Sequence, residues 1–295
     1  MFDEEEVEKL RLAGRIASEV RRWAAGRVRP GKPLLELCEE VEGEIRRRGG
    51  EPAFPCNIDI NEVGAHYTPP SGEQATIPEN SIVKVDLGVH VEGYIADTAV
   101  SVCLSPEYEI LRKAAEEALK AGIQAMRAGV KVSEVGFAIQ KTIEGFGLKP
   151  IRNLTGHSIG RYLIHTGKHI PNVGGMDGLR VEEGELYAIE PFVTLRSAAG
   201  EVVGGPCGNI YRVSKRKLPK EREERRLMEE ILERFSTLPF TSRWLKEASS
   251  QAFKELVRGK YVSCYPMLVE RTGKPVAQAE HTVLVLKDGV EVLTE

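Results

Sequence analysis

Apolar residues recur along this chain with two rhythms, and the switches between them mark out its elements. In residues 3–27, Val7, Leu10, Ala13, Ala17, Val20 and Ala24 stand three or four apart, the spacing of one helix face, and Pro30-Gly31 ends the run. A second helix is expected from Pro33, with Leu34, Leu37, Val41 and Ile45 as its inner stripe and Gly49-Gly50 as its stop. Residues 54–60 fit a short strand, and residues 61–80 a loop bearing Pro, Gly and Ser that carries His66. Strong helix formers fill residues 106–128; Ser133 is suited to cap a helix over 134–146, which Gly147 breaks. Residues 184–194, GELYAIEPFVT, read as a strand with Glu190 at its end, and Pro191 keeps that carboxylate out of the helical region.

Residues 81–104, SIVKVDLGVHVEGYIADTAVSVCL, hold two β-branched apolar runs with Gly88 and Gly93 flanking the segment between them, which predicts an antiparallel hairpin. Each arm carries an aspartate. With the turn centred between Val91 and Glu92, Asp86 and Asp97 oppose each other on one face at roughly 5 Å. Like charges so placed repel, so a positive charge is expected between them.

From about residue 215 to 263 the texture becomes charged and helix-forming, with Leu227, Ile231 and Phe235 on one face and a solvated outer face opposite. Sheet-like sequence resumes over 277–293, where Asp288-Gly289 is a hairpin signal. Helices alternating with antiparallel hairpins define an α+β class with a helical insert near the end.

Composition narrows the function classes. With 295 residues the chain has room for one large domain or two smaller ones, and 41 Lys+Arg against 44 Asp+Glu leave a net charge of -3, no footprint for nucleic acid. The first residues are acidic, and no apolar run approaches the roughly 18 residues of a membrane span, so a soluble, unsecreted, cytoplasmic protein is expected. Five cysteines, Cys38, Cys56, Cys103, Cys207 and Cys264, form no C-x-x-C pair and read as free thiols in a reducing compartment.

Asp86, Asp97, His157, Glu190 and Glu280 each sit in or beside an apolar stretch, where an unpaired charge is costly. Two divalent ions would balance four carboxylates, and an oxygen-rich set with one imidazole suits Mn²⁺, Fe²⁺ or Co²⁺ at least as well as Zn²⁺. Such a pair, about 3.5–4 Å apart, supports metal-assisted hydrolysis. Taken singly, each residue reads more readily as a surface or sheet-rim group, and spacing alone does not overturn that reading.

The segments AHYTP at His66, VDLG at Asp86, ADTA at Asp97, LTGHSIG at His157, YAIEPF at Glu190 and AQAEHT at Glu280 resemble the motif set of type II methionine aminopeptidases. The resemblance runs in order along essentially the whole chain. It implies the pita-bread fold, with two pseudo-symmetric halves, a catalytic domain over 1–214 and 266–295, and a helical insert subdomain over 215–265. It further implies that Asp97 and Glu280 bridge two metal ions, Asp86 chelates one, and His157 and Glu190 bind the other. By the same resemblance a metal-bridging hydroxide attacks the scissile carbonyl and Glu190 shuttles the proton. His165 binds the carbonyl oxygen, and His66 contacts the leaving amide nitrogen.

Position suggests Phe54, Ile164 and Tyr265 for the methionine side-chain pocket, though each reads equally as plain core. His90, His169 and His281 receive no role beyond packing or surface. The implied activity is removal of N-terminal methionine from nascent proteins and peptides, preferentially before a small second residue, by a monomer of archaeal type without an N-terminal extension. Proximity to the ribosome is compatible with that activity, although no residue points to it. Two other readings share the fold. Proline-specific relatives carry an extra N-terminal domain, whereas only about 85 residues precede Asp86 here, and non-catalytic relatives have lost metal ligands that this chain retains.

Overall fold

Two helix pairs, each laid on its own apolar core, back a concave layer of antiparallel strands. The computed structural model describes residues 2–175, 178–246 and 251–295. The first helix, Glu4–Ala25, starts at Asp3, whose carboxylate accepts from the Glu6 amide while the Glu6 carboxylate accepts from the Asp3 amide. That exchange satisfies two donors the first turn would otherwise strand. Its stripe of Ala13, Ala17, Val20 and Ala24 packs with Leu37, Val41 and Ile45 of the helix Leu34–Arg47. Both rest on Val83, Val85, Leu87 and Val89, the alternate residues of the strand Ile82–Val91.

The second pair, Glu109–Ala125 and Val132–Gly145, buries Leu111, Ala115, Ala118, Val135 and Ile139 against Tyr187, Ile189, Val283 and Val285. Ser133 is not its cap. The helix begins one residue earlier, and the Glu134 carboxylate accepts from the Lys131 amide at 3.4 Å, so Ser133 lies inside the first turn.

All strand pairings among the described residues are antiparallel, as an α+β fold requires. Glu51–Ile60, Ile82–Val91 and Tyr94–Cys103 form one sheet; Gly289–Val292, His281–Leu286, Leu186–Ile189, Thr155–Ile159 and His169–Pro171 form another, in those orders. The two are stitched through an isolated bridge between Ala99 and Glu280. Hydroxyls complete the seam: Thr98 Oγ1 donates to the Glu280 carbonyl (2.8 Å) and Ser101 Oγ to the Gln278 carbonyl (2.6 Å), while the Asp97 amide donates to Thr282 Oγ1 (2.7 Å). The final hairpin turns at Lys287-Asp288, since Leu286 pairs with Gly289, one residue before the turn that Asp288-Gly289 predicts.

Residues from the charged stretch gather on a separate core. Leu227, Met228 and Ile231 of the helix Arg222–Phe235 meet Phe240, Phe253 and Leu256. Phe240–Thr241 is a strand on Val202–Val213 where helix was expected; the next helix runs Gln251–Arg258, and residues 247–250 of that reading lie outside the described residues. This region is pinned to the first half by Arg243, whose two terminal nitrogens donate to both oxygens of Glu42 at 2.9 and 2.8 Å, both side chains being only 3% exposed. Trp244 Nε1 adds a bond to Glu42 Oε2 at 2.8 Å. Replacing Arg243 by Met should therefore cost about 3–5 kcal/mol in urea denaturation, because Glu42 is left buried and uncompensated. A loss below about 1 kcal/mol would show the pair to be dispensable. Among the described residues no helix is long and apolar enough to cross a membrane.

Candidate metal centre

The aspartate hairpin turns at Glu92-Gly93, both with positive φ (51° and 88°), as a type I′ turn requires. This moves the register by two residues from direct opposition. Asp97 faces Gly88 and Asp86 faces Ala99, so the carboxylates are diagonal neighbours on one face. Small residues clear the space between them. Ala99 lies between Asp86 on one side and Glu280 on the other, and Ala188 lies beside His157. The expected strand over 184–194 is two, Leu186–Ile189 and Phe192–Thr194, and Glu190-Pro191 forms the break that turns the Glu190 carboxylate into the same hollow.

Asp97, His157 and Glu280 present ligand atoms within 4.8 Å of one another. His157 Nε2 stands 3.6 Å from Asp97 Oδ2 and 3.5 Å from Glu190 Oε1, too far for good hydrogen bonds but a natural spacing for donors around a shared centre. All four carboxylates are pushed up from their ordinary range. Burial lifts Asp86 to about 7 against bonds from Asn57 and Gln278. Burial and then the neighbouring carboxylates raise Asp97, Glu190 and Glu280 well above normal. Burial, with His165 beside it, holds His157 well below the usual imidazole range and hence neutral, the form that ligates.

These residues fit divalent cations. Asp86 Oδ1 and Asp97 Oδ1 are buried without a hydrogen-bond partner among the described residues, and two to four positive charges here would relieve both the repulsion and the unmet acceptors. Lys84, fully buried on the same face as Asp86, does not serve: it lies opposite Asp59 and donates to the Asn61 carbonyl at 2.8 Å.

The five residues form the floor of a cleft with about 520 Å³ of empty space, and its walls include His66, His165, Phe54, Ile164 and Tyr265. All ten residues singled out in the sequence thus share one site. His66 has φ +72°, a conformation uncommon outside glycine, and its ring meets Tyr265 edge-on with centroids 5.4 Å apart. Burial holds it down to about 4, so it is neutral near pH 7. The His165 ring lies edge-on to His157 at 4.3 Å. Gly88 makes room for Phe54: a Cβ there would lie 2.3 Å from the ring.

Residues 8–215 match metallopeptidase family M24. A methionine aminopeptidase of Methanocaldococcus jannaschii is 44% identical over 290 residues, covering 98% of each chain, and one of Pyrococcus horikoshii is 44% identical over 296, covering 98% of this chain and 100% of its own. The chain belongs to metallopeptidase family M24, in its methionine aminopeptidase branch. The crystal structure of a methionine aminopeptidase from Rickettsia prowazekii, 23% identical, superposes over 100% of this chain and 99% of its own with a TM-score of 0.73, a likeness of fold. Membership makes this a metallo-aminopeptidase with the pita-bread fold of M24 enzymes, acting on peptides and binding divalent metal.

Two residues that pattern reading passed over also contact the site's carboxylates. Asn57 Nδ2 donates to Asp86 Oδ2, and Gln278 Nε2 donates to Glu190 Oε2 and Glu280 Oε2, each at 3.3 Å. Gln278 lay within the AQAEHT segment, and Asn57 becomes visible only once its register opposite Asp86 is known. The reading of five free thiols is corrected: Cys207 and Cys264 form a disulfide with Cα atoms 5.7 Å apart, leaving Cys38, Cys56 and Cys103 free. The pair comes from adjacent strands, Val202–Val213 and Val262–Glu270, joined by a register shift that no local spacing betrays.

Proposed function

We propose that this enzyme removes N-terminal methionine from nascent proteins and peptides, favouring a small second residue, with two divalent ions held by Asp86, Asp97, His157, Glu190 and Glu280. The observation that carries the reading is the convergence of four carboxylates, three of them buried and Glu190 nearly so, on one neutral imidazole, with one oxygen each of Asp86 and Asp97 lacking a partner among the described residues. In this reading Asp97 and Glu280, at the middle of the set, would hold the ions together with Asp86 on one side and His157 and Glu190 on the other. Cobalt, manganese, iron and zinc all suit such a set. When bound, the ions supply Lewis acidity and a water made acidic enough to attack at neutral pH.

The chain's own residues do the rest. Glu190 would act in its ionised form, taking the proton from the attacking water; burial and the neighbouring carboxylates raise its proton affinity, which suits it to hold that proton and pass it to the leaving amine, and Gln278 fixes its second oxygen. His165 donates to the carbonyl oxygen as it gains charge. His66, neutral and clamped by its backbone, binds at the scissile amide nitrogen. Phe54, Ile164 and Tyr265 take the methionine side chain, an unbranched group suited to an apolar slot. A floor closed by these carboxylates would receive the free amine end of the substrate, which accounts for exopeptidase action. Residues 215–265 act as an insert subdomain on a body formed by 1–214 and 266–295, and the enzyme works as a cytoplasmic monomer.

Peptides of the Met-Ala and Xaa-Pro types test the substrate assignment. Release of methionine from the first with little cleavage of the second is expected, and preferential Xaa-Pro cleavage contradicts it. His165→Ala should lower kcat by about 2.7–4 kcal/mol in activation terms, or 10²–10³-fold, with KM little changed. An unaltered kcat removes His165 from that role.

A further inference from the structure

The chemistry above occupies the front of the sheet, while behind it lies a mostly buried cation with no ion-pair partner among the described residues. Arg21, from the face of Glu4–Ala25 that covers the strand Tyr94–Cys103, is mostly buried and has no carboxylate within 4 Å among the described residues. Its Nη1 donates to Thr98 Oγ1 at 2.6 Å and to His281 Nδ1 at 2.9 Å. An arginine can only donate, so the Thr98 hydroxyl proton is free to go on to the Glu280 carbonyl, 2.8 Å away, and His281 accepts at Nδ1, an atom that also lies 2.8 Å from Thr294 Oγ1. One guanidinium nitrogen thereby grips residues 280 and 281 from behind.

The backbone needs such a grip at this point. The ladder is interrupted between Val276–Gln278 and His281–Leu286, and the bonds across the gap are long: Glu280 N to Ala99 O at 3.3 Å and Ala279 N to Pro191 O at 3.4 Å. The carboxylate standing on that weak segment is one of four crowded acids. We propose that Arg21 is a positioning residue for the metal centre: it locks the Glu280 backbone from the rear of the sheet, and its charge offsets part of the carboxylate repulsion in front. This rests on the reading of Glu280 as a metal ligand.

A cavity with about 1070 Å³ of empty space opens beside Arg21, lined also by Glu280, His281 and Leu119, so a small cation from solution can reach the place of a truncated side chain. Arg21→Ala should bind Mn²⁺ about tenfold to a hundredfold more weakly by titration calorimetry, and kcat/KM should fall with it. Added methylguanidinium should restore affinity saturably, whereas methylammonium, lacking the forked donors, should restore less. Wild-type Mn²⁺ affinity in the folded variant overturns the inference, as does a loss that methylguanidinium leaves untouched. Should Arg21→Ala fail to fold, Arg21→Lys replaces it: an intermediate affinity supports the role and a wild-type affinity refutes it. Glu280→Gln separates the two levels. If that variant loses Mn²⁺ while Arg21→Ala keeps it, only the rear grip is wrong; if Glu280→Gln also binds Mn²⁺ as wild type does, the metal assignment itself is wrong.

Discussion

Asp97→Asn should lose essentially all peptide hydrolysis, with kcat/KM falling by about 10³-fold or more, the equivalent of several kcal/mol of Lewis-acid stabilisation. Asp97 lies at the centre of the set, 3.6 Å from His157 Nε2, with Oδ1 unmatched and Glu280 and Asp86 as charged neighbours. An asparagine keeps the shape and the backbone bonds to Thr282, so the fold should survive while bound metal, measured by atomic emission, drops. A folded Asp97→Asn protein with wild-type metal content and turnover contradicts the shared-ligand role.

The second large effect concerns the metal-free protein. Asp86 has its folded pKa lifted to about 7, against about 3.9 in an unfolded chain. Between those values the folded state holds more protons than the unfolded, so this group's contribution to stability is fully present below about pH 4 and is lost as pH rises towards 7. At about 1.4 kcal/mol per pH unit, the loss from Asp86 alone is on the order of 4 kcal/mol. Buried neutral histidines such as His66 act in the opposite sense over the same range, so the effect is read as a difference between variants. Metal-free Asp86→Asn should be more stable than metal-free wild type at pH 7, and the two should converge near pH 4. With Mn²⁺ the order at pH 7 should reverse, since only the ionised carboxylate binds metal and the bound ion stabilises the fold by mass action. Urea denaturation at a series of pH values measures both. An Asp86→Asn protein less stable than wild type at pH 7 without metal would mean the carboxylate is already compensated by the protein.

Much of this arrangement was legible in the sequence because it rests on local rules. The helix stripe of Ala13, Ala17 and Val20, the apolar alternation of Val83, Val85 and Leu87, and Pro191 after Glu190 each report a backbone state from nearest neighbours. The candidate ligands stood out as charges in apolar surroundings and through the motifs they share with a known family. What was not legible depends on register and tertiary pairing. Glu92-Gly93 and a turn one residue earlier differ little in local pattern, yet they decide whether two aspartates are opposed or diagonal. The same ignorance of register hid Asn57 behind Asp86, Cys207 beside Cys264, and Lys84 opposite Asp59 inside what reads as an apolar strand. Arg21 was one more charge on an amphipathic helix until the sheet placed Thr98 and His281 over it.

Anomalous diffraction from crystals of the metal-loaded protein, recorded on either side of the manganese edge, addresses the pair of cations directly. Two peaks about 3.5–4 Å apart should appear, both within bonding distance of Asp97 and Glu280, one also touching Asp86 and the other His157 and Glu190. A single peak elsewhere on the surface, or none among these five side chains from an active preparation, would contradict the account.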